Sequence, residues 1–466
     1  MTDRIETDCD FAIIGAGPAG MAAANLAAEG GARVVLLDEQ AAPGGQIYRA
    51  ITAGGAGRGE ILGSDYLAGA ALARGLEQPG IRTLWGATVW RVDANGGVVF
   101  SRGGAASRLR ARRILVATGA LERPFPFPGW TLPGVMTAGA VQILLKGAGI
   151  VPGDAVLAGS GPLLYLVASQ MIAAGAPPAA LVETRGPNGL AGAMRHLPGA
   201  LRGWRVLAKG ASLLAAIRRA GVPRHTGATG LRAEGGGAVE ALRFRAGGQD
   251  HLLPSRILLI HQGVVPNVQI SRSLRLAHDW DAAQRCWRPR LDEWGGTECE
   301  KIAIAGDGGG IGGARAAALQ GRLAALEALR ALGQIDMAER DRRAAPERRA
   351  LARELAIRPF LDALYAPPRE ALVPPDETVI CRCEEVTAGE VRGYAALGCL
   401  GPNQAKAFGR CGMGPCQGRY CGLTVGEVLA DARGVAPAEV GYYRLRAPLK
   451  PVTLGELASL DSGGAA

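Results

Sequence analysis

Lysine is scarce in this chain. Only five of its 52 basic residues are Lys, and the rest are Arg. The net charge is +10, but basic and acidic residues alternate along the chain, most densely over 339–354. Because no basic stretch is interleaved with aromatic residues, the charge does not predict nucleic-acid binding. A docking face for an acidic protein partner fits the pattern better.

The chain also lacks segments typical of membrane insertion or secretion. Residues 1–10 are acidic and contain no apolar run, so we expect no secretory signal. Residues 155–182 carry no charge and are long enough to cross a bilayer, but Gly159–Pro162 and Pro177-Pro178 interrupt them. A buried strand and helix explain that stretch better. We predict no transmembrane segment and a cytoplasmic, reducing environment that keeps thiols free.

Catalytic side chains are sparse before the last hundred residues. Cys9, just before the first apolar strand, is a lone thiol, and no Cys-x-x-Cys or Cys-x₄-Cys pair accompanies it, which argues against a disulfide reductase. The five histidines are scattered, at 196, 225, 251, 261 and 278. His261 ends an apolar strand, where a structural role is favoured over a role in the chemistry. We therefore assign no catalytic residue to this chain.

Six of the nine cysteines, by contrast, fall between Cys381 and Cys421. Cys381 and Cys383 form a Cys-x-Cys pair, and Cys416 and Cys421 form a Cys-x₄-Cys pair after 32 intervening residues. Four thiolates in two close pairs can ligate a [2Fe–2S] cluster. Tetrahedral zinc also accepts four cysteines, but its usual spacing is Cys-x₂₋₄-Cys on both sides. A disulfide framework is a weaker alternative still. Cys411 could replace one of the four ligands, and spacing alone does not exclude it.

The residues around these cysteines suit an anionic cluster. Several basic residues lie close in sequence, namely Arg382, Lys406, Arg410 and Arg419. Two patterns, Thr387-x-x-Glu390 and Thr424-x-x-Glu427, predict capping boxes at the starts of two helices that end near Gly398 and Gly434. Such a helical module of about 55 residues is too small to be stable through its core alone, so a cluster would stabilise it.

The N-terminal region has the pattern of a dinucleotide site. An apolar strand leads into a glycine turn, then into an Ala-rich helix and a second apolar strand that ends in an acid. The turn supplies the predicted phosphate-binding residues, Gly15, Gly17, Pro18, Ala19 and Gly20. The helix N-terminus would face the phosphates, and Asp38, or alternatively Glu39, would bind the ribose hydroxyls.

Three further motifs decide which dinucleotide is bound. Thr118-Gly119 and Gly306-Asp307 each end an apolar strand, and Gly45-Gln46 lies in a Pro-Gly-Gly-Gln run after the acid. At these places the chain resembles flavoproteins with two dinucleotide-binding domains. In that family the aspartate of the Gly-Asp pair bonds the ribityl chain of FAD, and the Gly-Gly-Gln loop runs along the flavin. The resemblance therefore implies FAD at the first site.

A second strand–turn–helix–strand unit begins at Ala155. Its turn reads Gly159-Ser-Gly161-Pro-Leu-Leu164, and its second strand ends in Glu183. Leu164 replaces the third glycine and should push the helix away from the strand and crowd a pyrophosphate. We predict the fold for this unit and leave open whether it binds a nucleotide.

These motifs divide the chain into segments. We predict a discontinuous FAD-binding domain (1–145 and 298–340), a second Rossmann-like domain (146–297), a charged connector (341–375), a cysteine module (376–435) and a C-terminal tail (436–466). The fold class is α/β: a flavoprotein with two Rossmann-like units and a C-terminal helical [2Fe–2S] module.

The motifs together resemble one family. The cysteine module (376–435) is similar to bacterioferritin-associated ferredoxin, and the chain is similar to the FAD-containing α subunit of opine oxidases and D-hydroxyproline dehydrogenase, with hydrogen cyanide synthase a more distant relative. The resemblance implies a β subunit, similar to D-amino-acid oxidases, that oxidises the amine. It also implies an α subunit that relays electrons through FAD and [2Fe–2S], with FMN at the subunit contact and a small ferredoxin-like γ subunit in some members. An NAD(P)H-dependent reductase and a non-catalytic scaffold are the alternatives.

Overall fold

The computed structural model describes residues 8–53, 55–186 and 188–461. In chain order its strands are β1 (Asp8–Ile14), β2 (Val34–Asp38), β3 (Ile81–Trp85), β4 (Thr88–Val92), β5 (Gly97–Arg102), β6 (Ala105–Val116), β7 (Ala120–Glu122), β8 (Val135–Thr137), β9 (Val156–Ser160), β10 (Ala180–Glu183), β11 (Arg224–Thr226), β12 (Thr229–Glu234), β13 (Ala241–Ala246), β14 (Gln249–Pro254), β15 (Leu258–Gln262), β16 (Val264–Pro266), β17 (His278–Asp281), β18 (Cys286–Pro289), β19 (Ile302–Ile304), β20 (Val379–Cys381) and β21 (Val386–Thr387).

The α-helices in the same residues are α1 (Pro18–Glu29), α2 (Gly59–Leu62), α3 (Ser64–Leu67), α4 (Gly69–Arg74), α5 (Ala138–Ala148), α6 (Pro162–Ala173), α7 (Asn188–Met194), α8 (Leu197–Arg202), α9 (Trp204–Arg219), α10 (Gln269–Ser273), α11 (Ala314–Ala331), α12 (Met337–Leu355), α13 (Arg358–Leu364), α14 (Arg369–Leu372), α15 (Ala388–Ala396), α16 (Pro402–Gly409), α17 (Gly422–Arg433), α18 (Pro437–Val440) and α19 (Leu454–Asp461).

The first sheet brings together strands that are distant in sequence. Its order is β3-β2-β1-β6-β5-β4, and β19 pairs with β6. β1 lies parallel to β2 and to β6, and β19 also runs parallel to β6, with Ile302 opposite Ile114. The strand before Gly306-Asp307 therefore returns to the N-terminal unit. Parallel strands place their carboxyl ends at one edge of the sheet, so the motifs that follow β1, β6 and β19 meet there.

Two helices pack tightly at this edge. β2 is buried at every position, as expected of a strand covered on both faces. α1 and α11 lie side by side, because Gly321 of α11 rests against the backbone of Ala19. Gly20 lies directly against the carbonyl of Gly15, so any side chain at position 20 would overlap the turn. The helix N-terminus is thereby fixed against the glycine turn.

The second sheet is parallel, in the order β11-β10-β9-β15-β8, and a separate antiparallel sheet follows the order β12-β13-β14. Leu164 is fully buried in the apolar core around this second unit. The two units are joined by the antiparallel pair of β7 and β16. Strand β7 directly follows Gly119.

The connector helix α12 packs against α11, and Ala344 is its one buried residue. Two of its arginines enclose the Trp294 ring, with the guanidinium carbons of Arg340 and Arg348 at 4.2 and 4.1 Å from the ring centroid. Cation–π contacts of this kind stabilise the helix against the apolar core beside the first sheet.

The cysteine module (376–435) contains the β20–β21 hairpin and helices α15, α16 and α17. The first predicted capping box is present, since Thr387 and Glu390 bond each other's main chain. The second is wrong: α17 begins at Gly422, and Thr424 is buried within the helix. Both helices end where predicted, with Gly398 and Gly434 at positive φ.

The segment after the cysteine module crosses back to the first sheet. Leu449 donates its main-chain N–H to Trp90 O at 2.9 Å, and Lys450 Nζ lies 2.7 Å from Glu39 Oε2. Helix α19 then packs on β6. Across the described stretches of the chain, none of the helices is both long and apolar enough to cross a membrane.

Candidate functional site

The first glycine turn leaves room for a ligand beside its backbone. Gly15 has a φ of +106°, and a Cβ there would lie 2.5 Å from Ala117 O. Only glycine suits that position. At Gly17, by contrast, a Cβ would meet no atom within 4 Å, so the space beside it is open. Pro18 starts α1 at the position where a missing N–H costs nothing. The turn and helix end thus form a cradle of the kind that binds phosphate.

Asp38 closes one side of this cradle. Its Oδ2 accepts from Ala16 N at 2.6 Å and its Oδ1 from Gln40 N at 2.8 Å. Burial raises the pKa of the Asp38 carboxyl, although these two N–H donors act in the opposite direction. Glu39 instead faces Lys450. Of the two predicted acids, Asp38 is the one that the structure places against the glycine turn.

The Gly-Gly-Gln loop packs on the same turn. Gly44 N donates to Ala16 O at 2.9 Å, and a Cβ on Gly45 would lie 2.9 Å from Gly17 Cα. The carbonyl of Gln46 accepts from the buried Lys146 Nζ at 3.0 Å. The structure therefore brings Gly45 and Gln46 next to the phosphate cradle.

Lys146 was not identified from the sequence. It extends from α5, and its Nζ also donates to Gln142 Oε1 at 2.8 Å. Burial lowers its pKa to about 7, and the positive charge of Arg49 adds to the effect. Burial and Arg49 both disfavour the charged amine. An anionic ligand beside Lys146 would act in the opposite direction and favour the ammonium form.

Two further predicted residues lie where β6 ends. Thr118 Oγ1 is buried and has no hydrogen-bond partner within the described residues. Gly119 has a φ of +66°, and a Cβ there would meet nothing within 4 Å. An unpaired buried hydroxyl beside open space fits a polar ligand that lies along the strand end.

The Gly306-Asp307 motif occupies a short 3₁₀ turn after β19. Asp307 Oδ1 accepts from Gly312 N at 2.8 Å and from Gly313 N at 2.9 Å, which fixes the carboxylate at the start of α11. The second oxygen would remain for a ribityl hydroxyl. With the open cradle and the unpaired hydroxyl of Thr118, the residues present fit FAD.

The second glycine turn has a different environment. His261 Nδ1 lies 2.7 Å from Glu122 Oε1, and a Cβ on Gly161 would lie 3.0 Å from His261 Nε2. The imidazole therefore rests against the second turn and is held by a carboxylate. Glu183 is buried and accepts from Arg224 Nε and Nη2 at 2.9 and 2.7 Å. Both bonds go to Oε1, whereas Oε2 is buried without a hydrogen-bond partner among the described residues, so the acid that would bind a ribose here is only partly engaged.

Five thiols of the cysteine module (376–435) fall into a group of three and a neighbouring pair. The sulfur atoms of Cys381, Cys411 and Cys421 lie within 4.8 Å of one another, and all three residues are buried. Cys383 is exposed and lies in contact with the half-buried Cys416. Each half of the predicted ligand set therefore contacts the other, Cys381 with Cys421 and Cys383 with Cys416. Cys411, which the predicted set leaves out, completes the group of three, whereas Cys383 and Cys416 lie outside that group.

Hydrogen bonds among these thiols favour one thiolate. The thiols of Cys411 and Cys421 lower the pKa of Cys381 to about 2, helped by the main-chain N–H groups of Gly412 and Glu384. The same contacts with Cys381 raise the pKa of Cys411 to about 12, and they also raise that of Cys421. A metal centre would supply the positive charge that lets all of them ionise.

Tyr443, which was not identified from the sequence, covers this group of thiols. It is buried, and its hydroxyl lies 3.7 Å from Cys421 Sγ. A Cβ on Gly412 or Gly418 would run into its ring, so these glycines permit the contact. The only signal in the sequence was the glycine content of the loop.

A buried ion pair attaches the cysteine module to the rest of the chain. Arg285 donates to both carboxylate oxygens of Glu427, with Nε to Oε1 at 3.0 Å. Burial raises the pKa of the Glu427 carboxyl, while Arg285 lowers it. This contact explains why Glu427 does not cap α17, as its spacing from Thr424 had suggested.

The comparisons with known proteins agree with this architecture. A family model described as pyridine nucleotide-disulphide oxidoreductase matches residues 9–321, and one described as sarcosine oxidase A3 domain matches residues 377–460. L-proline dehydrogenase from P. horikoshii has the same fold, with a TM-score of 0.71 over 97% of this chain and 79% of that one, at 20% identity. Fold and first site therefore define an FAD-dependent oxidoreductase of the two-Rossmann type.

Sequence relatives narrow the class. The A subunit of opine oxidase from Rhizobium meliloti (strain 1021) is 44% identical over 97% of this chain and 98% of its own length. The HcnB subunit of hydrogen cyanide synthase from Pseudomonas aeruginosa is 34% identical, over 97% of this chain and 98% of its own. The chain belongs to the family that contains the opine oxidase A subunits.

Proposed function

We propose that this chain is the electron-transferring α subunit of a multi-subunit dehydrogenase that oxidises a secondary amine or imino acid of the opine or D-hydroxyproline class. The observation that carries the proposal is the 44% identity with the A subunit of opine oxidase over nearly the full length of both chains. When bound, FAD and a [2Fe–2S] cluster would supply the redox chemistry, passing electrons to and from a partner's flavin.

The FAD site would be built from the residues around the first glycine turn. Gly15, Gly17 and Gly20, with the start of α1, would hold the diphosphate, and Asp38 would orient the adenosine ribose. Thr118, Gly119, Gln46 and Asp307 would line the ribityl and flavin end, together with Pro18, Ala19, Gly45 and Gly306 next to them.

The cluster would be ligated by Cys381, Cys383, Cys416 and Cys421. Supporting this set, each Cys-x-Cys residue contacts one residue of the Cys-x₄-Cys pair. Cys411 would remain a buried thiol beneath Tyr443. The arrangement leaves the Cys383 side of the cluster exposed, where an external electron carrier could approach.

Amine binding would take place on another chain. The partly buried pair of His261 and Glu122 rests against the second glycine turn rather than in an open substrate pocket. A β subunit similar to D-amino-acid oxidases would bind the substrate, FMN would lie at the contact, and a small ferredoxin-like γ subunit would complete the complex. The proposed domain limits are those given from the sequence, and residues 1–7, 54, 187 and 462–466 within them lie outside the described residues.

An anaerobic visible-light titration tests the proposal. The purified chain is titrated first with NADH, and then with octopine, nopaline or D-hydroxyproline in the presence of a co-expressed β subunit. We expect the flavin and cluster bands to bleach only with amine and partner together. Bleaching by NADH alone would make the chain an independent pyridine-nucleotide reductase, and the proposal would then be wrong.

A further inference from the structure

One arginine lies in the contact between the second Rossmann-like domain (146–297) and the segment that follows the cysteine module (376–435). Arg272 belongs to the short helix α10. Its guanidinium carbon lies 4.6 Å from the centroid of the Trp287 ring and 5.2 Å from that of the Tyr442 ring. The side chain is therefore enclosed between an aromatic residue of β18 and one that follows the cysteine module.

The charge of Arg272 is not compensated by an acid. Its Nε and Nη2 are buried and have no hydrogen-bond partner among the described residues. No salt bridge to Arg272 is found in those residues, whereas Arg285 nearby is bonded to Glu427. Burial lowers the pKa of Arg272 to about 10, so the group stays protonated at neutral pH. A buried cation without a counter-ion is costly, which calls for an anion in its surroundings.

The position of Arg272 connects the two proposed cofactor sites. At the near end, Asn267 N donates to Gly119 O at 3.0 Å, so the segment that leads into α10 is anchored at the FAD site. At the far end, the Tyr442 ring lies 5.9 Å from the Tyr443 ring, and the Tyr443 hydroxyl lies 3.7 Å from Cys421 Sγ. Two rings thus separate the guanidinium from the thiols.

We propose that Arg272 is a positioning residue for electron transfer, which sets the equilibrium between FAD and the cluster by placing an uncompensated positive charge two aromatic rings from the thiols and by holding the Trp287 and Tyr442 rings on either side of it. The inference rests on the proposed function, because it requires a [2Fe–2S] cluster at the cysteines. A cluster with four thiolates is anionic and gains a further negative charge on reduction, and a nearby cation stabilises the reduced form. Loss of the charge should therefore lower the cluster's reduction potential.

The test measures that potential in the FAD- and cluster-loaded protein by EPR-monitored redox titration. For Arg272→Gln we expect the equilibrium constant for cluster reduction to fall at least tenfold, which is about 59 mV for one electron. Arg272→Lys keeps the charge, and we expect it to stay within about threefold of the parent. Arg288→Gln is the matched control, because Arg288 adjoins Trp287 but is half exposed and faces Asp281. It should also stay within about threefold.

Several outcomes would overturn the proposal. One is an unchanged potential in Arg272→Gln at full iron content, and another is an equal shift in Arg288→Gln. Loss of iron in both Arg272 variants with FAD retained would mean that the residue is only structural. If the unsubstituted protein itself contains no iron or acid-labile sulfide, the proposed cluster fails rather than the assignment of Arg272, so the two failures are distinguishable.

Discussion

The Asp38 carboxylate accepts a 2.6 Å hydrogen bond from the main-chain N–H of Ala16, 22 residues earlier in the chain. This contact joins the end of β2 to the glycine turn that follows β1. The residue proposed to bind the ribose therefore also holds the proposed phosphate cradle in shape. Because Asp38 is buried, water cannot replace its carboxylate as the acceptor for the Ala16 N–H.

Asp38→Asn should weaken FAD binding. The amide has only one acceptor oxygen for the two N–H groups of Ala16 and Gln40, so one buried donor loses its partner. A hydrogen bond to a charged group contributes about 1.5–3 kcal/mol, so loss of the carboxylate as the proposed ribose acceptor should raise the FAD dissociation constant roughly 10- to 100-fold. FAD titration of the apoprotein measures this. Glu39→Gln is the control, since Glu39 faces Lys450, and equal weakening in both variants would contradict the role of Asp38.

The geometry of the first glycine turn could be predicted because its signals are local. Gly15, Gly17 and Gly20 lie within one turn of chain, and strand, turn and helix fix their positions almost independently of the rest. The return of β19 to β6 was predictable from family resemblance rather than from periodicity, because β19 has only three residues. A strand so short gives a weak pattern on its own.

The contacts between distant segments could not be predicted. Thr424 and Glu427 have the spacing of a capping box, but burial against Arg285 outweighs that local preference. The proximity of Cys411 to Cys381 depends on how the loop folds under Tyr443, a residue 32 positions further along. Lys146 contacts the carbonyl of Gln46 in the Gly-Gly-Gln loop, 100 residues earlier in the chain, and no sequence motif marks this lysine.

Serine substitutions should identify the cluster ligands. We expect Cys381→Ser, Cys383→Ser, Cys416→Ser and Cys421→Ser each to lose most of the iron and sulfide, because a cluster of this kind needs four thiolates. The Cys411→Ser protein should keep its iron, its sulfide and the visible absorbance of the cluster. Iron, sulfide and FAD are measured on the same purified samples. Iron loss in Cys411→Ser together with retention in Cys416→Ser would move the fourth ligand to position 411.

Glu427→Gln should loosen the cysteine module (376–435). The substitution leaves Arg285 facing a neutral amide at a largely buried contact. Breaking a buried pair costs about 3–5 kcal/mol; because Arg285 keeps 33% of its side chain exposed, we expect about 2–3 kcal/mol. A lower urea midpoint for loss of the cluster absorbance would show this.

Two variants sharpen the Glu427 result. Glu427→Leu combined with Arg285→Met removes both charges, and we expect it to regain much of the lost stability. Asp431→Asn on the same helix breaks the exposed pair with Arg369 and should change the midpoint little. If Glu427→Gln has no larger effect than Asp431→Asn, the buried pair does not hold the module in place.

Lys146 should make the stability of the FAD-free protein depend on pH. Its pKa is about 7 when folded and near 10.5 when unfolded, so between these values the unfolded chain binds the additional proton. The free energy of unfolding should therefore rise with pH from about 7 to 10.5, by up to about 1.4 kcal/mol per pH unit. Below about pH 7 the amine is charged in both states, and the destabilisation from burying the charge has its full value. Arg49 and the Tyr66 ring are the charged and titratable neighbours that face it.

Lys146→Met removes this contribution. In urea unfolding of the FAD-free protein between about pH 7 and 10, the parent should gain stability with pH relative to the variant, since other titrating groups are common to both. Lys209→Met, which removes an exposed lysine paired with Asp65, should follow the parent. FAD should reduce the difference, because a diphosphate beside the Gln46 loop favours the ammonium form and raises the pKa of Lys146. A parent and Lys146→Met with parallel profiles, with and without FAD, would mean that Lys146 is charged in the folded protein at no cost and plays no part in holding the cofactor.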